Sequence, residues 1–155
     1  MRVSLIAVGQ RMPAWIQQGF GEYAQRLQAR LPLNLVEVPA AKRGSGDVAR
    51  AIEEEGRRLL APIKPDHYVV ALDERGRARS SIELSQWLGK RLQDGRELAF
   101  LVGGADGFAP QVLARADERW SLSALTLPHA LVRVVFAEQI YRAVTLLDGH
   151  PYHRE

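Results

Sequence analysis

With 155 residues, 46% of them hydrophobic and 25% charged, the chain suits one domain with a substantial core. The absence of cysteine excludes disulfides and thiolate-held metals and suits a reducing, cytoplasmic setting. No apolar run approaches the ~20 residues of a membrane span, and a net charge of +3 permits a nucleic-acid partner without requiring one.

Val3 to Val8 is a continuous apolar run broken by Gly9, the pattern of a buried strand. Only Arg2 precedes it and no cleavage pattern follows, so it reads as a strand and not as a signal peptide. Pro13 suits the first turn of a helix that carries Ile16, Phe20, Tyr23 and Leu27 on one face to about Arg30. Leu33 to Val38 is a second strand, and the loop AAKRGSG follows Pro39. Asp47 is a plausible N-cap for a helix from Val48 to about Ala61, with Val48, Ile52, Glu55 and Leu59 on one face.

Tyr68 to Leu72 is a third strand, followed by the basic loop ERGRAR. Ser80 and Glu83 have capping-box spacing for a helix with Ile82, Ser85, Leu88 and Leu92 inward, ending near Gly95. Leu98 to Val102 is a fourth strand, Pro110 opens a short helix to Ala116, and Leu122 to Leu127 reads as a fifth strand. A long helix from His129 to Leu147 and the tail HPYHRE complete an alternating α/β pattern with a largely parallel sheet.

The last helix is too apolar for a surface helix: Val132, Phe136, Ile140, Val144 and their neighbours cover roughly 200°, against the ~100° stripe of an ordinary amphipathic helix. Burial on two sides is expected, one against the sheet and one against a second copy of the chain. Arg133 falls within that arc, and an internal ion pair and an anion or base contact are both open to it. The tail gathers His150, Tyr152, His153, Arg154 and Glu155 around Pro151; it is either a frayed terminus or part of a site.

Chemistry is expected where strands three to five end. Gly103-Gly104 closes the fourth strand, Asp106 and Gly107 follow, and bare backbone at the carboxyl edge of an open sheet is where ligands bind. The glycines do not spell a dinucleotide fingerprint. There is no phosphate-binding P-loop and no nucleophile elbow. The histidines His67, His129, His150 and His153 lack zinc-site spacing, and no metal is expected. Lys42-Arg43, Arg75, Arg77, Arg79 and Arg154 form basic clusters that are either solvated or in contact with nucleic acid.

Several segments together carry a resemblance: IAVG near the start, PAAKRG, YVVALD, LVGGADG, SLSALTLPHALVRVV, EQIYRA and PYHR. Over essentially its whole length the chain resembles the ribosomal large-subunit methyltransferase H family of the SPOUT class. The resemblance implies an α/β knot, a homodimer, S-adenosylmethionine as cofactor, and methylation at N3 of a pseudouridine in 23S rRNA of the assembled ribosome. Carried over by residue, the cofactor contacts fall on Leu72, Gly103, Leu122, Ser123, Ala124, Leu125, Thr126 and Leu127. Tyr152, His153 and Arg154 are implied to help form the substrate site across the dimer. The base that removes the N3 proton stays open between His153 and Glu138, with Arg154 as a stabiliser of the developing anion. Asp106 receives no catalytic role. The alternative is a non-catalytic ribosome-binding or assembly factor of the same fold.

Overall fold

The computed structural model describes residues 1–44 and 46–154; Glu155 of the tail lies outside the described residues. Five strands, β1 (Val3–Val8), β2 (Leu33–Val38), β3 (Tyr68–Ala78), β4 (Leu98–Val102) and β5 (Glu118–Ser121), form one sheet in the order β2-β1-β4-β3-β5. Every neighbouring pair is parallel. β4 lies at the centre and is buried at all five positions, which is why its sequence is unbroken apolar.

Alternate residues feed two cores. Val3, Leu5, Ala7, Val70 and Phe100 face the helices α1 (Ala14–Leu27), α3 (Ser81–Asp94) and α5 (His129–Asp148). Ile6, Val8, Val69, Ala99 and Leu101 face α2 (Val48–Leu60) and α4 (Pro110–Arg115). On the three-helix side a chain of rings runs from Trp87 to Trp120 (4.4 Å between centroids), on to Phe100 (5.3 Å) and to Phe136 of α5 (4.6 Å). Each such pair adds about 0.5–1.5 kcal/mol beyond burial.

The helix starts follow from their caps. Asp47 accepts the Arg50 N–H at 3.0 Å, and Ser80 with Glu83 forms the full capping box. Inside α3, however, Leu84, Ser85, Trp87 and Leu88 are the buried positions, and Ile82 is 63% exposed. Trp87, which the spacing argument left out, takes the inward face because its indole N–H reaches Glu118 at 2.8 Å. Val48 of α2 is likewise exposed.

Two strand readings need correction. The fifth strand is Glu118–Ser121, and residues 122–127 form a loop beyond it. The alternation in LSALTL imitates a strand, but its polar groups bond locally: the Ser121 hydroxyl donates to the Ser123 carbonyl (2.8 Å) and the Leu125 N–H donates to the Ser123 hydroxyl (2.9 Å). The third strand continues to Ala78, because residues 73–76 bulge outward and both Leu72 and Arg77 register against Trp120. Gly76 permits this close return: a Cβ there would stand 2.5 Å from the Arg119 carbonyl carbon.

α5 packs on the sheet between α1 and α3 of the same chain. Much of its wide apolar arc is thus spent on its own neighbours, and the arc by itself does not demand a second copy. Arg133 resolves to the internal alternative. Its guanidinium is 1% exposed, donates to Glu37 Oε2 at 2.5 Å and to the Gly9 carbonyl at 2.9 Å, and so fastens α5 to the end of β1.

Candidate functional site

A pocket of about 690 Å³ opens at the carboxyl edge of β3 and β4, within the size range of small-molecule sites. Three segments build its walls: Leu72 with the bulge 73–75, the glycine turn 102–108, and the loop 121–128 running into His129 and Val132 of α5. Of the residues expected to contact a cofactor, Leu72, Gly103, Leu122, Ser123, Leu125, Thr126 and Leu127 line it; Ala124 lies on the same loop, exposed, outside the lining.

The local chemistry explains the shape. Gly103 brings backbone to backbone, since a Cβ would stand 3.1 Å from the Gly107 carbonyl oxygen. Gly107 has φ +83°, which suits glycine, and its N–H closes the turn onto the Gly104 carbonyl at 3.2 Å. Leu125 is 75% exposed, an apolar side chain held at the mouth. Polar groups around the rim are mostly engaged: Thr126 donates to Glu74 (3.2 Å), the Arg75 N–H donates to Asp73 (3.0 Å), and Asp106 accepts from Arg43 (2.9 Å).

Phe108, Leu113 and Val132 were missed as wall residues by sequence reasoning. The signal for Phe108 was its place directly after the last glycine of the turn. Leu113 and Val132 read as ordinary core positions of their helices.

The tail lies elsewhere. Pro151–Arg154 forms a 3-10 turn packed on α5, and none of Tyr152, His153 and Arg154 lines this pocket. Tyr152 donates to Glu138, whose Cα lies about 14 Å of helix rise from His129 at the pocket. Glu138 also accepts from Arg142 (2.8 Å) and Gln139 (2.7 Å), so both of its oxygens carry hydrogen bonds. The Nδ1 of His153 is buried without a partner among the described residues.

The basic clusters divide. Lys42, Arg75, Arg77 and Arg154 are exposed. Arg43 is bound to Glu55 and Asp106, and Arg79 donates to Glu118 at 2.8 Å, so neither is a freely solvated charge.

A family model described as "Predicted SPOUT methyltransferase" matches residues 1–153. The chain belongs to the SPOUT methyltransferase family. Its relatives include proteins named ribosomal RNA large subunit methyltransferase H: one from Thioalkalivibrio sulfidiphilus is 58% identical over the full length of both chains, and one from Alkalilimnicola ehrlichii is 57% identical over 99% of both. Among solved structures, a probable methyltransferase from Bordetella pertussis shares the fold with a TM-score of 0.56 at 18% identity, covering 92% of this chain and 94% of that one. TrmJ from Z. mobilis matches with a TM-score of 0.54 at 19% identity, over 94% of this chain and 71% of that one. The pocket at the carboxyl edge of β3 and β4 is therefore the candidate functional site of this chain. Among the described residues no cluster of His, Asp or Glu is placed to hold a metal ion, and no helix is long and apolar enough to cross a membrane.

Proposed function

We propose that this chain uses S-adenosylmethionine to methylate N3 of a pseudouridine in 23S rRNA of the assembled cytoplasmic ribosome, acting as a homodimer. The observation that carries the reading is the pocket itself: seven of the eight residues expected at the donor converge on one cavity of suitable size. The names of the relatives point to the same substrate, ribosomal RNA of the large subunit.

The residues present fit the donor. Leu72, Phe108, Leu113 and Val132 offer apolar walls for a purine, and the 122–127 loop offers main-chain groups that no strand partner consumes. When bound, S-adenosylmethionine supplies a methyl already activated on a sulfonium. The chain's task is then to align that methyl with N3 and to exclude water; alignment can contribute up to ~7–11 kcal/mol.

The N3 proton must also leave. Glu138 is committed to Arg142, Gln139 and Tyr152, so in this reading it anchors the tail and does not serve as the base. His153 takes the proton and Arg154 stabilises the developing anion, both supplied by the second copy because the tail does not reach its own pocket. Half-buried Leu131, Val135 and Leu146 on α5 support such a contact between copies. The knotted threading implied by the resemblance belongs to the same proposal.

The test is mass-spectrometric mapping of nucleosides in unmodified ribosomes incubated with the protein and labelled S-adenosylmethionine. One newly methylated pseudouridine in 23S rRNA is expected. Ribosomes without added methyl, together with no calorimetric binding of the donor, would instead favour the non-catalytic ribosome-binding factor.

A further inference from the structure

We propose that Arg43, which does not line the pocket, is a positioning residue that braces the glycine turn of the donor site against a buried carboxylate. The inference rests on the pocket being the donor site.

Glu55 sits on α2 at 2% exposure, and a carboxylate so placed must be compensated. Three donors reach it: the Ala41 N–H at 3.0 Å, Arg43 Nη1 at 2.5 Å and Arg43 Nη2 at 3.1 Å. The turn lies directly against this acid, since a Cβ on Gly104 would stand 3.0 Å from Glu55 Oε1. The remaining nitrogen of the guanidinium, Nε, donates to Asp106 Oδ2 at 2.9 Å, and Nη1 also holds the Ala41 carbonyl at 2.9 Å. One fork therefore joins helix α2, its own loop and the tip of the turn.

Hydrogen bonds to Glu55 and then Asp106 raise the basicity of the Arg43 guanidinium well above its ordinary value, so it stays charged at any working pH. Asp106 and residues 103–107 form a pocket wall whose only regular internal pairing is the bridge between Gly104 and Gly107. A turn so thinly paired depends on outside support to keep one shape. Lysine, a single point charge, cannot serve three separated acceptors, so the geometry calls for arginine. The arrangement also ties the β2–α2 loop, which bears exposed Lys42, to the wall of the donor site.

The test uses the full-length protein and the variants Arg43→Gln, Arg43→Lys and Asp106→Asn, with Arg57→Gln, an exposed charge on α2, as control. Donor affinity is read by titration calorimetry with S-adenosylmethionine. The rigidity of the turn is read by hydrogen exchange of the peptide spanning 103–108 without donor. Arg43→Gln and Asp106→Asn should each weaken donor binding about tenfold and speed exchange over 103–108, while β4 exchanges as before. Arg43→Lys should recover only part of the loss, Arg57→Gln should match wild type, and the donor KM should rise with kcat little changed. Asp106→Asn alters only the exposed end of the network, so folding is not at stake in that variant. Wild-type affinity together with wild-type exchange over 103–108 in Arg43→Gln overturns the proposal, even if the variant melts earlier. A wild-type protein that binds no S-adenosylmethionine overturns the donor-site reading instead, a result separate from the exchange comparison.

Discussion

The hydroxyl of Tyr152 donates to Oε2 of Glu138 across 2.8 Å, tying the C-terminal turn to the middle of α5. The Tyr152 ring stands edge-on to Tyr141 at 4.6 Å, and the Arg142 guanidinium lies 5.2 Å from its centroid. Burial, then hydrogen bonding to Tyr23 and Glu138, pushes this phenol well above its ordinary pKa, so it remains a neutral donor. Pro151–Arg154 thus forms a turn seated on α5, with Glu138, Tyr23 and Tyr141 among its anchors.

Removing that tie tests the tail's role. Tyr152→Phe should leave donor affinity within about twofold of wild type, lower methyl transfer to ribosomes by about tenfold, and expose the C-terminus to carboxypeptidase, as expected from the loss of one charge-assisted hydrogen bond. Equal loss of donor binding and transfer would contradict a tail that serves only the substrate.

Arg133 distinguishes an internal ion pair from a substrate contact. Arg133→Met should destabilise the fold by about 2–4 kcal/mol, less than a fully buried pair because Glu37 keeps access to water, and should not alter the salt dependence of ribosome binding. Thermal melting and binding measured at several salt concentrations check both parts.

The exposed cations carry the electrostatic prediction. Lys42→Gln and the pair Arg75→Gln with Arg77→Gln should weaken ribosome binding and flatten its salt slope by about one unit per charge removed from a phosphate contact. Arg79→Gln should act through stability instead, because Arg79 is bonded to Glu118. An unchanged slope in the first set would mean that these residues are simply solvated.

Glu118 sets an acid limit on stability. Burial disfavours its charge, but hydrogen bonds from Tyr68, Trp120, Trp87 and Arg79 hold it below the ordinary carboxylate value. A depressed carboxylate stabilises the fold above its unfolded pKa, and the contribution is lost as pH falls through the folded value. Tyr68 has the opposite sign: burial, then its bond to Glu118, pushes the phenol up to about 12, so its contribution is complete below pH ~10 and is lost as pH rises from there through about 12. Melting temperature against pH should show both limbs; Glu118→Gln should flatten the acid limb and Tyr68→Phe the alkaline one.

Gly76 tests the bulge of β3. An alanine there would press its Cβ against the Arg119 backbone, so Gly76→Ala should cost about 1–3 kcal/mol and lower the melting temperature by several degrees. It should also displace the 73–75 wall and reduce donor affinity in calorimetry.

Local pattern alone determined three of the strands and the start of a fourth, all five helices and two of the caps, because burial on both faces leaves an unbroken apolar run and capping requires particular residues at fixed spacing. It also marked the carboxyl edge of β3 and β4, where glycine must replace side chains. The tertiary structure decided what spacing does not encode. Ser121 ends β5 because Ser123 bonds locally, its carbonyl to the Ser121 hydroxyl and its own hydroxyl to the Leu125 N–H. Arg43, Arg79 and Arg133 turn inward because Glu55, Glu118 and Glu37, all distant in sequence, wait for them. The tail lies apart from its own pocket because Tyr152 seats on α5 and α1 through Glu138, Tyr141 and Tyr23. Each of these outcomes depends on pairing between remote residues, and a linear pattern carries no record of which remote acid a given base will meet.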